Sequence, residues 1–301
     1  MPSYFCHGLR ISSDVELKGL QTLEQPRGKN PVHIARGQVP SALDFPTKTR
    51  RYYAVSSGKA MLCAPGVGRL LIQSGSKITY ALDDGCDSDL LSSHIVGSGL
   101  AIANHQRGNI VLHASTLCRG GHAYLVCGKS GAGKSTTVAH LLENGGSTIG
   151  DDVAAISDAQ DPYVYLGPAT TKLSRDSLAK LPMHRGFECV GRCVSDKSIL
   201  STRQQFSEQA AKLGAIFELV PTDCETASIE RLGVRSAMMM LQVQTFRKRL
   251  IDDKSASTLF AKWAILAKNT NAYRIQRPKR GSTIFDVVKL IEQTISETTN
   301  V

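Results

Sequence analysis

The segment with the clearest chemistry is a phosphate-binding loop. Its eight residues match the pattern G-x-x-x-x-G-K-[S/T] and read Gly128-Lys129-Ser130-Gly131-Ala132-Gly133-Lys134-Ser135. Apolar residues 123–127 predict a buried strand before it, and Thr136 continues into a helical stretch that stops at a glycine pair, 145–146. The glycines let backbone N–H groups turn toward a phosphate chain at the positive end of that helix. We therefore expect residues 128–136 to bind a nucleotide, with Lys134 on its β- and γ-phosphates and the Ser135 hydroxyl on Mg²⁺.

An acidic pair, Asp151-Asp152, follows the loop helix. In phosphoryl transfer one carboxylate organises Mg²⁺, and another can accept the proton of the attacking hydroxyl. Neighbouring residues of an extended strand point to opposite sides, so adjacent carboxylates share a site only where a strand ends in a turn. We predict strand, acidic pair and strand over residues 147–156. A solvent-exposed turn is the alternative, and the phosphate loop upstream favours the functional interpretation.

A histidine, His113, ends the predicted strand 109–114. We expect this strand to form a hairpin with the strand before the phosphate loop, through a turn at Arg119-Gly120-Gly121. Two interpretations stay open. The side chain could simply be satisfied by backbone groups at a strand end, or it could stand beside the γ-phosphate or the acidic pair.

The composition is that of a globular protein that can bury a core. The chain has 301 residues, of which 42% are hydrophobic and 21% charged. It has no apolar run long enough to span a membrane and no secretory signal. Its eight cysteines contain no C-x-x-C pair, so we expect a reducing cytoplasm rather than a disulfide framework. The net charge of +10 indicates either a solvated basic surface or attraction to an acidic partner, and no nucleic-acid-binding motif accompanies it.

The pattern divides the chain into two domains. Residues 1–98 form a β-rich domain of short, antiparallel strands, with a role in substrate recognition or assembly. Residues 99–301 form the α/β domain that carries the phosphate loop, entered through a helix over 87–106. The strands predicted for the first domain are 4–11, 32–34, 51–55, 61–63, 69–72 and 77–81.

Further elements are predicted downstream of the acidic pair. We expect strands over 163–167, 215–221 and 272–275, and helices over 236–250, 256–268 and 282–295, with Ser282 as N-cap of the last. The basic stretch from Lys172 to Arg203 is expected to border a substrate groove, or else to be a solvated loop.

The motifs together resemble the bacterial HPr kinase/phosphorylase family. That family carries a histidine before the loop, a loop of the form G-x-S-G-x-G-K-S, and an Asp-Asp pair after the next helix. Here these are His113-Ala114-Ser115, the loop 128–135 and Gly150-Asp151-Asp152. The resemblance implies a phosphoenolpyruvate-carboxykinase-like phosphate-loop fold that uses ATP and Mg²⁺. It also implies that Asp152 is the base toward a substrate serine, with His113 and Asp151 in support and Ser135 and Asp151 near the metal.

A divergent branch of this family, the lasso peptide tailoring kinases, is similar along the whole chain. The shared segments are the opening Gly8-Leu9-Arg10-Ile11, the stretch His105-Gln106-Arg107-Gly108 and the late Tyr273-Arg274-Ile275-Gln276-Arg277-Pro278. The resemblance implies a peptide substrate with an acceptor serine, and the family's hexamers make a homo-oligomer plausible. The family segment tied to dephosphorylation is missing, which leaves phosphorylase activity without support.

Three functions remain open. The first is an ATP-dependent serine kinase that acts on a precursor peptide or small protein, and the sequence favours it. The second is a phosphate-loop kinase of a small hydroxylated metabolite. The third is a nucleotide-binding switch without transfer activity. We expect neither nucleic acid nor a membrane as a partner.

Overall fold

The computed structural model describes residues 1–22, 31–174, 178, 188–192, 197–281 and 283–299. Within these ranges the chain forms an eight-stranded N-terminal sheet, an eight-stranded central sheet and a small three-stranded sheet, with helices packed on them. The prediction of an α/β fold, with a β-rich N-terminal part before the phosphate-loop part, is confirmed. Ser282, the expected N-cap, lies outside the described residues.

The N-terminal sheet is mixed, not antiparallel as predicted. Its strand order is β1-β2-β3-β8-β7-β6-β5-β4, and the pairs β2–β3 and β3–β8 are parallel. Its strands are β1 (Ser3–Cys6), β2 (Leu9–Ser13), β3 (Val32–Arg36), β4 (Lys48–Arg50), β5 (Tyr53–Ser56), β6 (Lys59–Ala64), β7 (Gly68–Gln73) and β8 (Lys77–Leu82). The sequence pattern identifies strands by local alternation, whereas the direction of pairing depends on long connections.

The first predicted strand, 4–11, is a two-stranded hairpin instead. The chain turns at His7-Gly8, where φ is 53° and 75°. Two consecutive positive φ values are typical of the tight turns that join antiparallel strands. The sequence pattern does not reveal this turn, because apolar residues alternate on either side of it and His7 is not a usual turn residue.

The helix predicted over 87–106 is present as one almost continuous helical stretch, and it covers the N-terminal sheet. It consists of α1 (Ser88–His94), a π-helical segment (Ile95–Gly99) and α2 (Leu100–Gln106). Asp87 caps it by accepting a hydrogen bond from the backbone N–H of Asp89. Its buried side chains share one core with the sheet, so the helix is held by apolar burial.

The central sheet positions the phosphate loop. Strand β17 (Ala211–Thr222) lies at its centre, parallel to β11 (His122–Gly128) on one side and to β19 (Asn271–Pro278) on the other. The other strands are β9 (Ile110–Leu112), β10 (Ala114–Arg119), β12 (Ala154–Ile156), β13 (Tyr163–Val164) and β18 (Ser228–Arg231). The carboxyl ends of β11, β17 and β19 therefore meet at one edge, where ligands of such sheets bind.

Two strand predictions near the site are wrong. The partner of β11 in the hairpin is β10, and β9 instead pairs with β12 elsewhere in the sheet. The chain is redirected at His113, whose backbone N–H donates to the Gln244 carbonyl over 2.8 Å. Residues 147–149 form only isolated bridges, to Cys118 and to Phe206, so no strand precedes the acidic pair.

The remaining elements complete the two faces of the central sheet. Helix α3 (Lys134–Glu143) follows the phosphate loop and contacts α6 (Ile284–Thr299). Helices α4 (Val234–Gln244) and α5 (Asp253–Asn269) pack on each other and on the other face. The small sheet joins β14 (Thr170–Leu173), β16 (Ser198–Ser201) and β15 (Cys189–Arg192) in that order.

Candidate functional site

The phosphate loop adopts a conformation that depends on its glycines. Gly128, Gly131 and Gly133 have φ of 146°, 81° and 101°, values that residues with a side chain rarely adopt. A Cβ added at Gly128 would lie 2.7 Å from the Leu219 carbonyl oxygen of the neighbouring strand. The loop therefore needs glycine here, both for its turn and for close packing against β17.

Lys134 is buried at the first turn of α3. Its Nζ donates to the carbonyl oxygens of Gly128 and Lys129, over 2.9 and 3.3 Å. The side chain thus folds back over the loop, and it is 7% exposed. Burial lowers the pKa of Lys134, against the opposing effect of Asp151 and Asp152. A cation held in partly desolvated surroundings is a strong ligand for phosphate oxygens.

Asp151 is held by four donors. The hydroxyls of Ser115 and Ser135 donate to its Oδ1, the latter over 3.1 Å. The Thr171 hydroxyl and the Lys172 backbone N–H donate to its Oδ2, over 2.8 and 2.9 Å. Such bonds fix an ionised carboxylate in one orientation beside the loop serine.

Asp152 points to the other side of the turn. Its φ of 71° lies in the left-handed region, which aspartate tolerates better than most residues. Its Oδ1 lies 3.1 Å from His113 Nε2, and its Oδ2 accepts from Lys172 Nζ over 2.9 Å. The turn therefore presents two adjacent carboxylates with two different sets of partners.

The electrostatic environment keeps Asp152 ionised. Burial by itself raises the pKa of this carboxyl. The hydrogen bond with His113 and the charge and hydrogen bond of Lys172 outweigh burial and hold the pKa of Asp152 well below its usual range. Asp152 is consequently a fixed negative charge at neutral pH, with one side open, since its side chain is 28% exposed.

His113 lies beside Asp152 of the acidic pair. This agrees with the second interpretation given above, in which its side chain stands beside the γ-phosphate or the acidic pair. Its ring also makes an edge contact with Phe246, with 5.7 Å between the ring centroids. The aromatic contact and the backbone bond to Gln244 leave Nε2 directed at Asp152. Its position fits a residue that orients Asp152.

Three residues at the site were not assigned a role from the sequence: Ser115, Thr171 and Arg277. Lys172 was expected only at the border of a substrate groove. The Arg277 guanidinium, at the end of β19, donates to the Ala132 carbonyl from Nε and Nη2 over 3.1 and 2.9 Å. Arg277 therefore braces the phosphate loop from the third parallel strand. The available signal was its place at the end of a strand, but relating that end to the phosphate loop needs the sheet order, in which β17 lies between β11 and β19. Ser115 stood in the His-Ala-Ser motif already noted.

The basic stretch 172–203 lies only partly within the described residues. Lys172 contacts Asp152, as given above, and Arg203 begins a short 3₁₀ turn. Arg175, Lys180, Arg185 and the side chain of Arg192 lie outside the described residues. The expected basic rim of a substrate groove remains a prediction.

The donor set at Ser135 and Asp151 fits a magnesium ion. Both supply hard oxygens close together, and Mg²⁺ on a nucleotide usually takes one or two protein oxygens, with phosphates and waters filling its other positions. Among the described residues, no three His, Cys, Asp or Glu side chains gather into a metal-binding group. With two hard oxygens, Ser135 and Asp151 suit an ion that arrives with a nucleotide.

Comparisons with known proteins add little to this geometry. No protein-family model matches the chain, and no curated protein matches it. Among solved structures, the HPr(Ser) kinase/phosphatase from Coxiella burnetii is similar at 11% sequence identity, with a TM-score of 0.33. The match covers 63% of this chain and 98% of that one. At this level of likeness we transfer no residue role from it. No helix in the described part of the chain has the length and apolar character needed to cross a membrane.

Proposed function

We propose that this protein is an ATP-dependent kinase that transfers the γ-phosphoryl group to a serine hydroxyl of a peptide or small protein. The observation that supports this most is the pair of carboxylates in one turn beside the phosphate loop. Asp151 is tied to the loop serine, while Asp152 is tied to His113 and Lys172 and keeps an open side. These contacts support a metal role for Asp151 and an acceptor role for Asp152.

The division of labour follows from the contacts. The loop N–H groups and Lys134 bind the phosphate chain, and Arg277 holds the loop in place. Mg²⁺, when bound, neutralises charge on the phosphates. Ser135 and Asp151 orient it. Asp152 accepts the proton of the acceptor hydroxyl as its oxygen forms the new bond to phosphorus and the bond from phosphorus to the ADP oxygen breaks. That proton then passes to water.

The low pKa of Asp152 is compatible with this role. The transition state of phosphoryl transfer is loose in most analyses, so the hydroxyl proton need not be removed early. A weakly basic carboxylate can then orient the hydroxyl first and take its proton late. A kinase of a small hydroxylated metabolite, the second of the three functions considered above, would use the same residues. We favour a peptide because the chain resembles the peptide-kinase branch at both ends and around the site.

The deciding experiment offers the full chain Mg·ATP labelled in its γ-phosphate together with two acceptor pools. One is a synthetic peptide library with a single serine in randomised surroundings, and the other is a panel of small hydroxylated metabolites. We expect phosphoserine in the peptide pool, identified by mass spectrometry. Label found only in the metabolites would favour the second function. Nucleotide binding without any transfer would favour the switch and contradict a kinase.

Replacement of Lys172 tests the electrostatic account of Asp152. Lys172→Met removes a neighbouring positive charge and a hydrogen bond, so the pKa of Asp152 should rise toward its usual value. In wild type, Asp152 should stay ionised down to a pH below the ordinary aspartate pKa of 3.8. Its protonation should therefore not slow transfer above that pH. In the variant the acid-side loss of activity should move to higher pH. The measurement is the pH profile of single-turnover transfer. An unshifted acid limb would show that Lys172 does not control Asp152.

A further inference from the structure

A cavity opens next to Asp151 and Asp152, the two carboxylates of the site turn. Asp151, Asp152, Thr170 and Lys172 line it from the phosphate-loop part of the chain. Its opposite wall comes from the N-terminal part, through His7, Gly19 and the helix residues 89–97. The space beside the carboxylate that faces the acceptor is thus shared by both parts of the chain.

The N-terminal wall is packed directly against the site turn and its neighbours. The His7 backbone N–H donates to the Leu166 carbonyl over 2.5 Å, and the Ala169 N–H donates to the Gly19 carbonyl over 3.2 Å. A Cβ at Gly8 would lie 2.7 Å from the Tyr165 ring. These contacts connect the first hairpin to the segment that leads into β14, whose Lys172 contacts Asp152. The wall is therefore a fixed part of the site.

His7 is the clearest sign that the cavity is a built site. Its side chain is completely buried, and neither ring nitrogen has a hydrogen-bond partner. The ring lies against Gly167, where an added Cβ would come within 2.9 Å of Cε1. Burial lowers the pKa of His7 to about 4, so the ring is neutral at physiological pH. A buried polar ring without a partner costs stability, and the wall must shift slightly before a ligand in the cavity can supply one.

Each charged side chain of the described cavity wall has a partner. Lys18 Nζ lies 2.6 Å from Asp89 Oδ1, and Lys172 is paired with Asp152. Asp151 accepts the four hydrogen bonds given above. Valine, proline, isoleucine and glycine residues supply much of the remaining wall. Because each charged side chain of the described wall already has an ionic or a hydrogen-bonding partner, the cavity suits an uncharged group with a single polar end.

The size of the cavity restricts what can enter. Its volume of about 50 Å³ corresponds to roughly three to five water molecules. A serine or threonine side chain fits this space with room to spare, whereas the ring of a tyrosine would fill most of it.

We propose that this cavity receives the acceptor side chain, a small, uncharged aliphatic alcohol, so that the N-terminal sheet and α1 select the substrate of the transferase. This inference rests on the proposed function. It assigns His7 and the helix segment 89–97 to substrate recognition, and it explains why the β-rich part, which has no phosphate-binding pattern, lies at the site.

Gly97 offers a direct way to fill the cavity. It lies in the π-helical segment with a backbone that other residues adopt readily, and an added Cβ would have Lys172 Nζ, at 4.0 Å, as its nearest neighbour. A leucine at this position can extend into the cavity without displacing backbone. Ser88 provides a matched control, because it is exposed on the same helix and does not line the cavity.

The test compares wild type, Gly97→Ala, Gly97→Leu and Ser88→Leu in the full chain. Single-turnover loss of the γ-phosphate is followed first with water as the acceptor and then with the serine peptide library. We expect Gly97→Leu to be slowed about 100-fold in both reactions, with Gly97→Ala intermediate and Ser88→Leu unchanged. ATP affinity and the unfolding temperature of Gly97→Leu should match wild type. A peptide library with tyrosine in place of serine should receive no label from wild type.

The outcomes separate this inference from the proposed function. If wild type transfers phosphate and Gly97→Leu transfers equally fast, the cavity does not hold the acceptor and only the inference fails. Transfer to tyrosine as fast as to serine would overturn it too. If wild type itself transfers phosphate neither to water nor to peptides, the kinase function fails, and the inference with it.

Discussion

Lys134→Ala should remove phosphate transfer and sharply weaken ATP binding. We expect kcat/KM for ATP to fall by about 10²–10³-fold or more, the usual consequence of losing a preorganised charge at a transferring phosphoryl group. The reason is geometric, since Lys134 Nζ lies over the loop on the carbonyls of Gly128 and Lys129. Loss of a partly desolvated cation costs more binding energy than loss of an exposed one.

The experiment on Lys134 needs a control for charge and for folding. Lys212→Ala provides this control, because it removes the same charge far from the loop. Lys212 is paired with Asp161 at the amino end of β17, opposite the loop. ATP affinity is measured by titration calorimetry, and folding by thermal unfolding without nucleotide. Lys134→Ala removes the hydrogen bonds of Lys134 to the loop, but it also removes the cost of a buried charge. It should therefore unfold near the wild-type temperature. Wild-type ATP turnover by Lys134→Ala would show that the loop does not carry the nucleotide.

Asp152→Asn should separate transfer from binding. Asparagine keeps the shape of the side chain and tolerates the positive φ of 71° at this position. It lacks the charge and the basicity of the carboxylate. We therefore expect Mg·ATP to bind nearly as in wild type, while transfer slows by roughly 10²–10⁴-fold, the range for loss of a general base.

Two further variants make the result on Asp152 specific. Asp151→Asn should instead raise the Mg²⁺ concentration needed for half-maximal transfer, since Asp151 is the carboxylate next to Ser135. Asp158→Asn, at an exposed turn after β12, should change neither property. Single-turnover transfer and ATP affinity are measured for each. Normal transfer by Asp152→Asn, or a loss of ATP binding as large as in Lys134→Ala, would place the base elsewhere.

The local chemistry of the site could be predicted from the sequence because it depends on short-range order. A phosphate loop needs glycines, a lysine and a hydroxyl at set spacings between a strand and a helix, and all of them lie within residues 122–143. The acidic pair and the helical stretch 87–106 are likewise local patterns. Most of the later helices and strands followed from periodicity to within a few residues.

What only the tertiary structure decided is how distant segments meet. The parallel pairs of the N-terminal sheet, the substitution of β10 for β9 beside the loop strand and the brace from Arg277 all depend on which strands become neighbours. Strand pairing is set by burial of whole faces across long connections, which a local pattern does not encode.

The cavity beside Asp152 depends on the tertiary structure more than any other part of the site. His7 and Lys172 are far apart in the sequence and belong to no common motif, yet they line one cavity beside Asp152. The sequence by itself determined the phosphate loop and the acidic pair, because both are local patterns. The packing of the first hairpin and α1 against the site turn decided that a cavity lies beside Asp152, because only burial of one part of the chain against another creates a cavity between them.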